Sequence, residues 1–167
     1  MEHYFLIKAV RIQDWLSENA KLKGRRGGSA LLTKVTSQEF VKSKLTNEWA
    51  WDEDAGHIDG VISLKRGDTL LPQVRNELNG LLESITGDVP GLSFEVFQIR
   101  ANSNDAHAEV EQKLKKKQAS GNLFLDFVAP TTETPVGRRC SLCKVRPSNS
   151  KGEESGTRVC RGCQSRI

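Results

Sequence analysis

No stretch of this 167-residue chain is apolar over a length that could span a membrane. The apolar run at residues 4–10 is short and flows straight into charged residues, which argues against a signal peptide. A cytoplasmic, soluble protein is therefore expected, in keeping with 37% hydrophobic residues and a mean hydropathy of -0.49. Internal repeats and long low-complexity segments are absent, which excludes solenoids and fibrous folds. The three histidines stand apart, His3 at the terminus, His57 in an acidic turn and His107 at a helix start, so no metal set is expected of them. No Ser/His/Asp arrangement is legible either. Cysteine is missing from the first 139 residues altogether.

All four cysteines fall in two Cys-x-x-Cys pairs, Cys140/Cys143 and Cys160/Cys163. Each pair can present two thiolates to one ion from a tight turn. The sixteen residues between the pairs can loop out to complete a tetrahedron, the spacing of a four-cysteine zinc ribbon. Two disulfides or two redox pairs are the alternatives. An intracellular setting favours metal over disulfides, and a redox motif is more usually a single pair beside a βαβ unit. A closed all-thiolate Zn2+ site leaves no open coordination position, so it argues for architecture or recognition rather than metal catalysis.

Charge follows the same division. Residues 1–135 carry 17 Lys/Arg and 19 Asp/Glu, whereas residues 136–167 carry 8 basic residues and 2 acidic ones. Arg138, Arg139, Lys144, Arg146, Arg158, Arg161 and Arg166 could form a footprint for a phosphate backbone, or a merely solvated surface. Ile167 follows the last cysteine by four residues, and the chain is expected to be one piece of something longer.

Hydrophobic periodicity sets the elements. Residues 4–10 read as a buried opening strand. Ile12, Trp15, Leu16, Ala20 and Leu22 follow helical spacing up to the basic run Lys21, Lys23, Arg25 and Arg26. Gly27-Gly28-Ser29 is expected to break that helix and to offer Ser29 as the cap of the next. The second helix passes through Leu31, Leu32, Val35, Phe40, Val41 and Leu45, with a break near Thr36-Ser37. Residues 48–64 suggest a hairpin with Trp49 and Trp51 on one face of its first arm, packed in the core. Leu70, Leu71, Val74, Leu78, Leu81, Leu82 and Ile85 form one stripe of an amphipathic helix. A strand at 92–99, a charged helix at 105–118 and a last strand at 123–128 follow. The order suggests an α+β domain of the ferredoxin-like kind over residues 1–129, with an antiparallel or mixed sheet and helices on one face. Residues 130–136 read as a linker, and 137–167 as the zinc ribbon.

The run Tyr4-Phe5-Leu6-Ile7-Lys8-Ala9-Val10-Arg11-Ile12-Gln13-Asp14-Trp15-Leu16, with Arg25-Arg26-Gly27-Gly28-Ser29-Ala30-Leu31-Leu32 beyond it, resembles the first palm domain of the large subunit of type III CRISPR effector complexes. Ile58-Asp59-Gly60-Val61-Ile62 and the two Cys-x-x-Cys pairs are similar to that polymerase/cyclase family in order and spacing. The resemblance implies a ferredoxin-like palm-type sandwich followed by a zinc ribbon, in a family that makes cyclic oligoadenylates from ATP in antiviral defence after binding target RNA. It implies ATP with Mg2+ as ligand, and a catalytic palm half or other effector-complex subunits as partners. The family's metal site is a Gly-Gly-Asp-Asp on a second palm, and this chain has no such sequence. The expectation is a non-catalytic nucleotide- and RNA-binding, scaffolding portion.

For phosphate, the candidates are Arg25, Arg26, Gly27, Gly28 and Ser29. Backbone N–H groups at a helix start point outward, the helix dipole favours negative charge, and glycines permit close approach. An ordinary turn with a serine cap is the alternative. Asp52, Glu53 and Asp54 on the hairpin, with Asp59 beyond, could hold a cation, but acidic hairpin tips are most often solvated. Lys113, Lys115, Lys116 and Lys117 read as a solvated helix face. Two other functions stay open. One is a zinc-ribbon nucleic-acid-binding protein whose α+β domain mediates protein contacts; the other is a self-sufficient small nucleotide cyclase using Asp14 and the acidic hairpin.

Overall fold

The computed structural model describes residues 1–18, 22–102, 104–128, 139–143, 148, 150–152 and 157–166. The linker expected at 130–136, and the cations Lys21, Arg138, Lys144 and Arg146, lie outside the described residues.

An antiparallel five-stranded sheet forms the centre, in the order β2-β3-β1-β4-β5. Strand β1 (Glu2–Val10) is its middle strand, flanked by β3 (Val61–Gly67) and β4 (Ser93–Ala101). A strand apolar on both sides belongs in such a place, because both of its faces lose water. Phe5, Ile7 and Ala9 point into the main core, while Tyr4 points to the opposite face. Register follows from this alternation: Phe5 lies opposite Leu64 and Ile7 opposite Ile62 on one side, Ile7 opposite Val96 and Ala9 opposite Phe94 on the other. β2 (Trp49–Trp51) pairs with β3, and β5 (Leu125–Phe127) pairs with β4.

The stripe on residues 70–85 becomes α4 (Leu71–Asp88), in which Val74, Leu78, Leu81, Leu82 and Ile85 are buried. Pro72 sits in its first turn, where no backbone donor is lost. Trp49 and Trp51 join the same core, as their spacing predicts. Arg66 is buried beside them. It bridges Glu48 and Glu77 and lies over the Trp49 ring at 5.1 Å, while Trp49 Nε1 donates to Glu77. Burial alone would raise the Glu77 carboxyl. Hydrogen bonds from Trp49, Arg66 and Gln73 outweigh it and hold the group below its ordinary value.

The helices preceding the hairpin differ from the expectation. α1 is short (Ile12–Ser17), and α2 runs without interruption over Leu22–Val35. Gly27, Gly28 and Ser29 therefore sit inside a helix and do not break it. The break comes at Thr36-Ser37, as expected, where Ser37 caps α3 (Gln38–Lys42) by accepting from the Phe40 N–H at 3.3 Å. Thr36 Oγ1 donates to the Leu32 carbonyl at 2.8 Å and accepts from the Gly60 N–H at 3.2 Å, pinning the end of α2 to the hairpin.

Helices also do not keep to one face. The charged helix, α5 (His107–Ala119), covers the other side of the sheet, where Val110 packs on Tyr4, Ile99 and Ala101. His3, far from being a loose terminal residue, is buried between Asp68 and Gln98, with ring nitrogens at 3.2 and 2.8 Å from them. Among the described residues no helix is long and apolar enough to cross a membrane.

Candidate metal centre and a pocket at the end of the first strand

Both cysteine pairs come together. Cys140, Cys143, Cys160 and Cys163 are all buried, and their sulfur atoms lie within 4.8 Å of one another. None is in a disulfide, and the 3.9 Å between Cys143 Sγ and Cys160 Sγ is far beyond an S–S bond. The backbone builds each half as a tight turn. A two-stranded ladder of β6 (Ser150–Lys151) and β7 (Arg158–Val159) leads into Cys160, which caps the short helix α6 (Arg161–Gln164). Its sulfur accepts from the Cys163 N–H at 3.4 Å. The first pair is tied to the second by the Ser141 N–H, which donates to the Arg158 carbonyl at 2.8 Å. Val159 and Leu142 pack beside the sulfurs. In the absence of an ion, the sulfur-to-sulfur contacts push the Cys160 and Cys163 thiols up, since crowded buried thiols resist gaining several negative charges. A divalent ion reverses that preference. Four soft, converging sulfurs form a group suited to holding a metal ion.

Arg166 ties this lobe to the α+β domain. The Arg166 guanidinium stacks on the Trp15 ring at 3.7 Å, and its Nη1 donates to the Trp15 carbonyl at 2.8 Å. Trp15 is held in turn through Nε1 to the Pro90 carbonyl at 3.0 Å. Arg166 is thus buried and takes no part in the basic surface expected of it. Arg139, Arg158 and Arg161 do remain exposed on the same lobe.

The anchor also accounts for two glycines. A methyl group added at Gly27 would fall onto the Arg166 carbonyl, and one at Gly28 would press on Leu16 and the Arg166 side chain. Their lack of side chains makes room for a neighbour in space. The helix-start argument for phosphate at residues 25–29 fails here, because their N–H groups lie inside α2. Arg25 and Arg26 are exposed on that helix, Gly27 is half-buried and Gly28 is buried.

Ser29 of that set lines a pocket. A cavity of about 590 Å³ at the C-terminal end of β1 is lined by Arg11, Gln13, Asp14, Ser29 and Asp59, with Ile12 and Leu32 as apolar walls. Arg11 stands there in a left-handed conformation (φ 54°, ψ 37°), which costs a side-chain-bearing residue on the order of 1 kcal/mol. Gly60, at φ 81°, brings the hairpin against β1, and its carbonyl accepts from the Ala9 N–H at 2.8 Å. Asp14, one helical turn past the strand, and Asp59, beyond the hairpin turn, are thereby brought into one cavity.

The acidic hairpin separates into unlike parts. Glu53 turns outward to Gln38 and Lys42, and Asp59 lies 3.3 Å from His57. Asp52, by contrast, is buried on the α5 side of the sheet, near Tyr4. Burial, then the Glu2 carboxylate to which it donates, pushes Tyr4 up to about 12, with Asp52 and Asp105 adding to the effect. On α5, Lys113, Lys115 and Lys116 are exposed, as expected, and Lys117 is half-buried. Lys113, Lys116 and Lys117 line a groove of about 720 Å³ with His3, Gln98 and Arg100.

Compared with models of known protein families and with curated protein sequences, the chain matches none.

Proposed function

We propose that this chain is a palm-type nucleotide- and RNA-binding scaffold with a structural zinc ribbon, working as a non-catalytic portion of a CRISPR-type polymerase/cyclase. The observation that carries the reading is the sheet. In the first four strands β1 and β3 are central, β2 and β4 are lateral, and all neighbours are antiparallel. That order supports a ferredoxin-like reading, for which a split β-α-β arrangement is expected. The pocket supports it by its place at the end of β1, beside the hairpin. In this reading Arg11 meets a phosphate, the Ser29 hydroxyl donates to the nucleotide, and Asp14 and Asp59 approach its Mg2+. A catalytic palm bearing the Gly-Gly-Asp-Asp that this chain lacks would close over the same nucleotide.

Zinc is the metal that fits the four sulfurs. Tetrahedral Zn–S bonds of about 2.3 Å separate the sulfurs by about 3.8 Å, against 3.9 Å for Cys143 and Cys160. Its role is to hold the lobe in the shape that presents Arg166 to Trp15.

Calorimetry with ATP and Mg2+ on the zinc-loaded chain tests the reading. A charge-assisted hydrogen bond contributes about 1.5–3 kcal/mol, so Arg11→Ala should weaken binding roughly tenfold or more. Ser29→Ala should weaken it too, whereas the Arg25→Ala/Arg26→Ala pair should not. Loss confined to that pair would move the phosphate site to the exposed face of α2. No binding by the wild type would remove the nucleotide reading and favour a ribbon that binds nucleic acid through exposed Arg139, Arg158 and Arg161. Salt-dependent RNA binding, weakened by changing those three to Ala, would mark that outcome.

A further inference from the structure

The hairpin and α5 bring a second set of metal-ligating atoms together, apart from the cysteines. Ligand atoms of Asp52, Asp54 and His107 all lie within 4.8 Å of one another. Asp52 follows β2, and its N–H still bonds to the Ser63 carbonyl at 3.0 Å, so its backbone continues the sheet edge. Trp49 and Trp51 point to the main core, and period-2 alternation sends Asp52 to the opposite face. The 3-10 turn Glu53–Ala55 then folds back, closed by the Ala55 N–H on the Asp52 carbonyl at 3.1 Å. It delivers Asp54 to the same spot. His107, the first residue of α5, completes the set from across the sheet.

Asp52 is what separates this group from an ordinary acidic tip. It is only 4% exposed, yet among the described residues no donor hydrogen-bonds its carboxylate. Its oxygens keep a narrow opening to solvent, and a carboxylate this enclosed is stabilised by a cation that meets it there. The neighbouring acids are otherwise engaged: Glu53 with Gln38 and Lys42, Asp59 with His57, and Asp105 with Lys113 at 2.9 Å. Among the described residues the side chains of Asp52 and Asp54 are in no hydrogen bond or ion pair, and His107 lies near enough to Glu111 to favour its charge.

We infer that Asp52, Asp54 and His107 form a binding site for a divalent first-row metal ion, which ties the hairpin turn to α5. A triangle with sides of at most 4.8 Å has a centre within about 2.8 Å of each corner. Bonds of about 2.1 Å then need an inward movement of about 0.7 Å per ligand, within the reach of side-chain rotation. Two carboxylates balance the charge of a dication and accept manganese, while the imidazole favours iron or zinc. Three protein ligands leave positions open for water or a phosphate oxygen. This site is independent of the pocket at the end of β1 and of the palm reading.

Mn2+ is the discriminating probe, because thiolates already loaded with zinc do not take it. Zinc-loaded full chain is titrated with Mn2+ while the electron paramagnetic resonance signal of the free ion is followed. One saturable site per chain is expected. Losing a ligand should cost at least the tenfold or so that losing an outer-shell partner costs, so His107→Gln and Asp54→Asn should each weaken binding about tenfold or more. Glu83→Gln, on an exposed acid of α4 outside both sites, should leave it unchanged. Absence of saturable binding, or ligand variants that bind like the wild type, would overturn the inference. Asp54 is exposed, so that variant keeps the test decisive even if His107→Gln disturbs the fold.

Discussion

Two glycines inside helices make a matched test of how the cysteine lobe is docked. Gly80 lies in the interior of α4 with nothing within 4 Å of an added methyl, and Gly27 lies in the interior of α2 against the Arg166 carbonyl. Alanine is the better helix former by about 0.8–1.0 kcal/mol. At Gly80 that gain is uncontested, and Gly80→Ala should raise stability by nearly that amount. At Gly27 the same gain is set against a methyl driven into backbone, an overpacking cost of roughly 1–3 kcal/mol. The net at Gly27 is then about 0–2 kcal/mol of destabilisation, and the two variants should differ by about 1–3 kcal/mol. For a chain of this size each kcal/mol moves Tm by about 2–4 °C. Melting curves of the two zinc-loaded variants, followed by circular dichroism and by Trp fluorescence, would read the difference. If Gly27→Ala stabilises as much as Gly80→Ala, α2 and Arg166 are not in contact, and the account given for Gly27 is wrong.

Other outcomes follow from the same contacts. One zinc per chain should be measured by elemental analysis, and Cys163→Ala should abolish it; a chain that purifies metal-free with four freely reactive thiols would refute the zinc assignment. Chelation should also lower the melting temperature of the α+β domain, because the Arg166 anchor depends on the lobe's shape. Glu77 ties stability to acid. Its folded carboxyl is held below the unfolded value of about 4.3, so its contribution is fully present above that pH and fades as pH falls through the lowered value. Between pH 7 and pH 3 Glu77→Gln should therefore lose less stability than the wild type, and an equal loss in both proteins would show that Glu77 carries none of the effect.

Legibility in the sequence depended on whether a residue's reason was local. The stripe of α4 could be read because Val74, Leu78, Leu81, Leu82 and Ile85 repeat with the helix itself. Trp49 and Trp51 could be read because a strand alternates, and the cysteine pairs because a single turn brings two sulfurs to one point. Ser37 as a cap follows the same rule, since its partner is three residues on. What escaped was set by residues distant in the chain. Gly27 reads as a helix breaker until the Arg166 backbone is placed against it. His107 reads as solitary because its neighbours, Asp52 and Asp54, come from a turn more than fifty residues earlier. α5 has a short apolar side, with Val110 its one fully buried residue, so periodicity alone did not say that it lies on the far face of the sheet. His3 looked like a terminal residue, and its burial rests on Asp68 and Gln98 from two other elements.

The Trp15–Arg166 contact spans 151 residues of chain, and that separation has a consequence for synthesis. Translation proceeds at about 5–20 residues per second, so Trp15 leaves the ribosome roughly 8–30 s before its partner does. Through that interval the indole face reserved for Arg166 is open to water and to other nascent segments. Closure waits on the final turn of the cysteine lobe. On the zinc reading proposed above, metal supply would govern the last step in completing a surface that belongs to the first helix.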